Sequence, residues 1–386
     1  MRIGLVSDTY TPQVNGVTTV VRRIAASLHA QGHETAIVAP RYPAPASHDA
    51  AEERELRVPS VAFPLYPDIR LSLPRFRQVA AFFDRFRPDL LHVHTEGGLG
   101  SAGRRYALRR RLPLVTSFHT NFPQYSRHYG AGLLEPAVWK WLEGFHRPAR
   151  LTLTPGEAVR DELVRRGITH AVVWGRGVDP RFFHPSQRHA RWRRWLAGGD
   201  DTVIVLHVGR LAREKNLDVL IEAWAHARKL LGQRATFVVA GEGPLARRIA
   251  ARLPFVRLLG FLPREDLATL YASADLCVFP SRTETCGLVA LEAMASGVAV
   301  IAADAGGFRE SIRAGATGLL VPPDDSAGYA AAIAVLARDT DRRFALAAAA
   351  REQALTRDVA REDAELLDRY ATLAGETGRR AATCAA

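Results

Sequence analysis

The sequence predicts an α/β protein of two Rossmann-like, doubly wound domains facing each other across a cleft. Three observations carry that expectation. Short apolar runs alternate with helix-periodic segments along nearly the whole chain, the pattern of parallel strands covered by helices on both faces. The alternation restarts after a polar, proline-containing stretch at 183–199, which reads as a linker. Finally, 386 residues exceed what one hydrophobic core organises, while 47% hydrophobic and 24% charged residues describe an ordinary globular chain.

In order, residues 2–7 read as the first strand, 17–30 as a helix closed by Gly32, and 35–39 as the second strand. Further strands are expected at 90–94, 114–117, 151–154 and 171–174. Past the polar stretch, strands are expected at 202–209, 235–240, 256–259, 274–279, 299–302 and 318–321, with helices at 217–231, 245–253 and 288–296. The alanine-rich end reads as two long helices, 326–338 and 341–371. The domains are placed at 1–185 and 186–368, leaving 369–386 as a helix end and tail. In such sheets ligands bind beyond the carboxyl ends of strands, so functional residues are sought there.

Composition narrows the classes. No run of about 18 apolar residues offers a membrane span. The N-terminus reads as a strand rather than as the apolar segment and cleavage site of a leader, so a cytoplasmic location is expected. Cys277, Cys286 and Cys384 have neither disulfide nor zinc spacing. The net charge is +12, and residues 1–185 hold 25 basic against 16 acidic side chains. All the bases except Lys140, Lys215 and Lys229 are arginines, which one reading assigns to compositional bias. The other reading is attraction to an anionic membrane surface. Nucleic acid is not expected as a partner, because no zinc-finger spacing or aromatic RNA-binding signature is present. Two segments suit a membrane face: 104–112, with five arginines in eight residues, and 75–87, which mixes arginines with aromatics at helical spacing. Trp139, Trp141 and Phe145 add apolar groups. The alternative is that these are amphipathic helices packing Val79, Phe82, Phe83 and Phe86 into the core.

Four segments carry candidate chemistry. Ser281-Arg282-Thr283-Glu284-Thr285-Cys286-Gly287-Leu288 runs from a buried strand through a polar turn into a helix start. Free N–H groups there attract phosphate, and Gly287 lets a ligand approach the backbone. Glu284 lies in the turn and Glu292 about one turn into the helix. Two carboxylates cannot both serve diphosphate oxygens, but they suit sugar hydroxyls on either side of a diphosphate; a solvated pair is the alternative. Gly209-Arg210-Leu211-Ala212-Arg213-Glu214-Lys215 is a basic turn whose Arg210 and Lys215 can neutralise a leaving diphosphate, or be an ordinary solvated loop. The first strand's turn ends in Gly16, which offers either bare backbone or a plain helix cap. A fourth strand end carries His119, whose imidazole can bond a sugar hydroxyl. His92 and His94 also end a strand, but no further ligand at sensible spacing makes a metal site with His119. Gly241-Glu242-Gly243-Pro244-Leu245-Ala246 fits the G-x-G-x-x-A pattern. Its expected acids, Glu265 and Asp266, follow Gly260 and Pro263 instead of ending a strand, so a nicotinamide enzyme is not expected; a backbone cradle for a ribose or phosphate stays open.

Together these residues resemble the retaining glycosyltransferases of GT-B type in family 4, from Arg2 to about Asp368. The most specific part is Glu284 and Glu292, with seven residues between them, preceded by Arg210 and Lys215 at the matching strand end. The resemblance implies a hexosyltransferase that moves a sugar from a nucleotide diphosphate to a lipid or glycan acceptor, with retention and without cofactor or metal. It implies an acceptor-side first domain and a donor-binding second one. Arg210 and Lys215 then grip the diphosphate, assisted by backbone at Gly16 and at Gly287 and Leu288. Glu292 takes the ribose, Glu284 and His119 the donor sugar, and Phe261 and Leu262 lie against the base. Gly306-Gly307 resembles the family's loop beside the donor. Cys286 stands where many relatives carry a large apolar residue, which implies looser sugar selection. Segment 118–130 resembles bacterial GDP-mannose-dependent α-mannosyltransferases and is similar to enzymes that glycosylate diacylglycerol. Mannose from GDP-mannose is favoured, and a UDP-sugar donor with diacylglycerol as acceptor stays open. A lipid acceptor implies a peripheral position on the inner face of the cell membrane. A nucleotide-sugar epimerase and a non-catalytic membrane-binding protein are the rival readings.

Overall fold

A computed structural model of the chain describes residues 1–13, 15–43, 54–63, 66–119, 133, 135–175, 177–197 and 201–384. Two compact units emerge, one of Met1–Gly175 with Glu362–Ala386, the other of Arg176–Arg361.

In the first unit the strands are β1 Arg2–Val6, β2 Glu34–Pro40, β3 Glu55–Val58, β4 Ser60–Phe63, β5 Tyr66–Ser72, β6 Leu90–Val93, β7 Leu114–Ser117, β8 Leu151–Thr154 and β9 Ala171–Val173. Seven of them form a parallel sheet in the order β3-β2-β1-β6-β7-β8-β9, while β4 and β5 make an antiparallel pair. Strand β1 shows why the middle is parallel. Ile3 and Leu5 pack into one core and Val6 into the other, so both faces are buried and the strand reads as a continuous apolar run. Gly4 is required there, because a Cβ would meet Phe83 at 2.8 Å. Since β1 pairs with β2 on one side and β6 on the other, the chain reverses its direction of winding between β1 and β6. The carboxyl ends of those strands are the unit's natural binding position.

The second unit repeats the plan with β10 Val203–Val208, β11 Ala235–Ala240, β12 Arg257–Leu258, β13 Leu276–Phe279, β14 Ala299–Ala303 and β15 Leu319–Val321. Their order is β12-β11-β10-β13-β14-β15, all parallel, so the reversal lies between β10 and β13. Helices Leu217–Leu231 and Ser326–Arg338 cover one face through Trp224 and Tyr329; Leu270, Tyr271 and Met294 fill the other.

Three expectations differ from the structure. The stretch read as a linker contains the helix Ala190–Ala197, whose Leu196 is buried and whose Arg193 Nη1 donates to Ser273 O and Asp275 Oδ2, both at 2.9 Å. It is part of the second unit, and that unit begins at Arg176 rather than near 186. The expected helix 341–371 is two helices, Thr340–Leu355 and Val359–Cys384. Val178 bridges to Asp358, with Val178 N bonded to Arg357 O and Val359 N to Val178 O, and this pairing breaks the helical ladder. Beyond the break the chain returns to the first unit, where Leu366, Leu367 and Tyr370 are buried in its core. Residues 362–368, expected in the second domain, therefore pack with the first, and residues 369–384 extend the same helix.

Candidate active site

In the second unit, β10 ends at Val208 and the chain turns through Gly209 into the loop carrying Arg210 and Lys215. Lys215 lies on a single 3₁₀ turn, Arg213–Lys215, closed by Asn216 in the left-handed region at φ 56°. Asn216 Nδ2 donates to Pro323 O at 2.8 Å and to Pro280 O at 3.3 Å, tying this loop to the end of β13. From the other side, the Ser281 and Thr283 hydroxyls both donate to Glu214 O, at 3.2 and 3.1 Å. The two loops at the winding reversal are thus sewn together, and Lys215 Nζ pairs with Glu284 Oε1. Arg210 pairs with Glu214, whose carboxylate is buried while the guanidinium stays substantially exposed. Glu214 and Asn216 are not singled out by the sequence; a buried acid among bases and an αL asparagine after them leave no periodic signal.

Gly287, at φ 72°, opens the helix Leu288–Ala295. The Gly306-Gly307 turn lies against the backbone of the Glu284 loop. Gly307 N donates to Glu284 O at 2.7 Å, and a Cβ at Gly306 would sit 2.4 Å from that oxygen. These glycines hold the Glu284 turn in place. Cys286 is buried, and Leu288 is half-buried beside it.

Glu292 lies on the second turn of that helix and accepts from the Tyr271 hydroxyl at 3.3 Å. Protein atoms enclose the carboxyl and push it up to about 7, against the opposing pull of Arg264 and of the Tyr271 bond. Part of the side chain still reaches solvent. Gly241 and Gly243 have a different employment. A Cβ at either would meet the backbone oxygen of Gly209 or Leu211, at 2.0 and 2.4 Å, so close packing of two loops requires these glycines. Between them Glu242 accepts from Phe261 N at 3.4 Å, beside Gly260 at φ 69°; Phe261 is exposed and Leu262 half-buried.

In the first unit, Asp8 follows β1 and turns inward. It accepts from Leu99 N (2.9 Å), Gly100 N (3.2 Å) and the Thr95 hydroxyl (2.8 Å), capping the helix Gly98–Arg110. Burial raises its affinity for a proton, and these bonds oppose the rise. Asn15 caps the helix Gly16–Ala30 through Thr18 N at 2.9 Å. Gly16 is exposed, and a Cβ there would meet nothing within 4 Å, so protein packing does not require this glycine. His119 follows β7, half-buried, with Nε2 3.3 Å from His94 Nδ1. Burial, with Arg23 adding repulsion, pushes His119 down to about 4, so the ring is neutral near pH 7. His92 is held at both nitrogens, 2.6 Å from the Tyr370 hydroxyl and 2.7 Å from Ser117 Oγ. Residues 120–130, within the segment that resembles the mannosyltransferases, lie outside the described residues. Among the described residues no three His, Cys, Asp or Glu side chains are grouped to hold a metal, and no helix is long and apolar enough to cross a membrane.

Two Rossmann-like units, the second with cations and carboxylates gathered at its winding reversal, define a glycosyltransferase of GT-B type. Comparison with known proteins agrees. Glycosyltransferase Family 4 matches residues 14–182 and Glycosyl transferases group 1 matches residues 202–339. The chain is 36% identical to a GDP-mannose-dependent alpha-mannosyltransferase of Mycobacterium tuberculosis, over 99% of both sequences. It is 34% identical to a sulfoquinovosyl transferase of Arabidopsis thaliana, over 75% of this chain and 58% of the relative. Anabaena HepE, solved with UDP and glucose, superposes with a TM-score of 0.76 at 22% identity, covering 96% of this chain and all of that one. The chain belongs to glycosyltransferase family 4 and is a hexosyltransferase.

Proposed function

We propose that the protein transfers mannose from GDP-mannose to a lipid or glycan acceptor with retention of anomeric configuration and without a metal. The observation that carries the chemistry is the meeting of Lys215 and Glu284 at the winding reversal of the second unit. The donor follows the mannosyltransferase matched end to end. Arg210 and Lys215 take up the charge that grows on the diphosphate, with backbone N–H groups at Gly16, Gly287 and Leu288 adding donors. Glu284 exchanges part of its hold on Lys215 for donor-sugar hydroxyls, and His119 contacts the same sugar. Glu292 receives the ribose hydroxyls, and the base rests on Phe261 and Leu262. Cys286 leaves space beside the sugar. As the bond from the anomeric carbon to the diphosphate oxygen breaks, the acceptor oxygen bonds to that carbon on the same face. The acceptor's proton passes to the leaving phosphate. Hydrolysis by flanking carboxylates is not the scheme, because Glu292 serves the nucleotide.

The acceptor end of the proposal includes a membrane face on the first unit. In helices Phe76–Phe86 and Gly98–Arg110, Val79 and Phe83 are buried, whereas Arg77, Arg85, Arg105, Arg109 and Arg110 are exposed, as is Arg75 at the first helix's N-cap. Leu73 and Leu108 are exposed beside them. Such a face fits a protein held peripherally on a cytoplasmic leaflet.

Purified protein incubated with labelled GDP-mannose or UDP-sugars and a lipid extract tests the donor and acceptor. Labelled glycolipid is expected from GDP-mannose. Product from a UDP-sugar alone would favour the diacylglycerol glycosyltransferase reading. Isomerised donor without transfer would favour an epimerase, and no reaction with any donor would overturn the proposal.

A further inference from the structure

We infer that His94 is a positioning residue that sets the tautomer of His119, so that His119 offers its ligand an Nδ1–H donor and no acceptor. The inference rests on the reading that His119 contacts the donor sugar. His94 Nδ1 and His119 Nε2 are 3.3 Å apart. The ring planes differ by 11° and the centroids lie 5.6 Å apart, so the rings meet edge to edge with those nitrogens between them. An N–H···N bond needs one donor and one acceptor, so one ring gives up its proton to the contact and the other its lone pair.

The far side of His94 decides which. Its Nε2 is buried and has no partner among the described residues. If His94 accepted at Nδ1, its single proton would sit on Nε2 as a buried N–H with nothing to receive it. If His94 donates from Nδ1, Nε2 carries only a bare lone pair, and orphaned donors are the rarer defect. A doubly protonated ring is disfavoured: burial above all, then the neighbouring imidazoles of His92 (centroids 3.7 Å apart) and His119, oppose a charge on His94. His92 is itself fixed by Tyr370 and Ser117, so it packs against His94 as a fixed neighbour.

His119 Nε2 therefore accepts, and the proton resides on Nδ1, which makes no hydrogen bond among the described residues. A ring in that state can donate to an oxygen of the sugar. It cannot remove the acceptor's proton, which is left to the departing phosphate.

Long-range proton–nitrogen correlation on protein labelled with ¹⁵N-histidine reads this directly, with the His119 signals assigned by their loss in His119→Gln. A protonated Nδ1 and bare Nε2 on His119 are expected; the reverse would overturn the inference. His94→Asn still offers an N–H near the old Nδ1 and should leave the His119 pattern unchanged. His94→Asp offers only an acceptor and should move a proton onto His119 Nε2, with kcat roughly tenfold lower and the donor KM within about twofold of the parent. An unaltered His119 spectrum in His94→Asp would also overturn it. If that variant fails to fold, the parent spectrum alone decides. The spectra need no turnover, so they separate this inference from the sugar-contact reading, which would fall if His119→Ala kept full activity.

Discussion

The groups proposed to bind the donor are charged in the second unit and neutral rings in the first. In the second, Lys215 is paired with Glu284 and Arg210 with Glu214. In the first, His119 is uncharged near pH 7 and backed by two further buried imidazoles, His92 and His94. Under the proposed function the contrast matches the ligand group that each would meet. A diphosphate calls for cations, and partly buried cations left without an anion are costly, so in the proposed site the protein's own carboxylates would stand in for the phosphate oxygens. A sugar hydroxyl needs only a directed dipole. For that a neutral imidazole suffices, and a charged one would have to be desolvated.

The sharpest way to break the comparison is to remove charge from the second unit. Lys215→Ala and Arg210→Ala should each lower kcat by roughly 10²- to 10³-fold, the loss of one preorganised charge donor. Glu284→Ala should fall by a similar factor. If the Lys215–Glu284 pair served only the fold, steady-state kinetics would show Lys215→Ala near the parent rate, and the diphosphate would have to be placed elsewhere. Combining Lys215→Ala with Glu284→Ala should restore some thermal stability, by removing both unpaired partners, and no activity.

A smaller effect is expected at Glu292. Glu292→Ala should raise the donor KM about tenfold and change kcat less, as loss of a contact made equally in ground and transition states. Because burial holds this carboxyl near 7, ribose hydroxyls that donate to it favour its ionised form. Nucleotide binding should then release protons at about pH 6 and cease to do so by about pH 8, measurable by titration calorimetry in buffers of different ionisation enthalpy. Proton release that is the same in Glu292→Gln would exclude this carboxyl as the source.

Acid should separate the units themselves. His92, His94 and His119 bind protons more weakly in the folded protein, so the first unit loses stability as pH falls below the ordinary histidine value of about 6.5. Asp8, raised from 3.8, works in the opposite sense within that unit. In the second unit His207, lowered to about 4, repeats the loss. Glu292, raised from 4.5 to about 7, offsets it by stabilising the fold as pH falls through that window. Limited proteolysis read by mass spectrometry at about pH 5 should therefore cut first within the first unit; earlier cutting within 177–361 would contradict this.

The smallest expected effect tests the arginine-bearing face. Vesicles rich in phosphatidylglycerol should co-sediment the protein, less so in high salt, and changing Arg109, Arg110 and Arg111 to Ser should weaken binding by a fewfold. Arg105 and Arg109 also lie over the Phe76 ring, at 4.6 and 4.9 Å, so replacing Arg109 removes a packing contact as well as a charge. No binding at low salt would point to a soluble acceptor.

Most strands are legible in the sequence, because a parallel strand buried on both faces is an unbroken apolar run. Leu114–Ser117, Leu151–Thr154 and Ala235–Ala240 lie where expected to the residue. β3 and the β4–β5 pair are not legible, since half-exposed strands such as Glu55–Val58 carry mixed residues. The positions of Arg210, Lys215, Glu284 and Glu292 can be read for a related reason. Arg210, Lys215 and Glu284 lie in the loops that follow such runs and Glu292 on the second turn of the helix after one of them, and a strand's carboxyl end is where this fold binds ligands.

The sequence by itself therefore determined local features: apolar runs, helix periods, the glycines between them and the polar residues at their ends. Partnership across the chain was decided only by tertiary structure. Lys215 and Glu284, 69 residues apart, meet because β13 pairs with β10, an order that no local pattern states. The break at 356–358 lies where Val178 bridges to Asp358, and beyond it Leu366, Leu367 and Tyr370 are buried in the first unit's core, with the Tyr370 hydroxyl 2.6 Å from His92 Nδ1. Periodicity records which side of an element is buried; the surface it is buried against depends on the order in which the strands assemble.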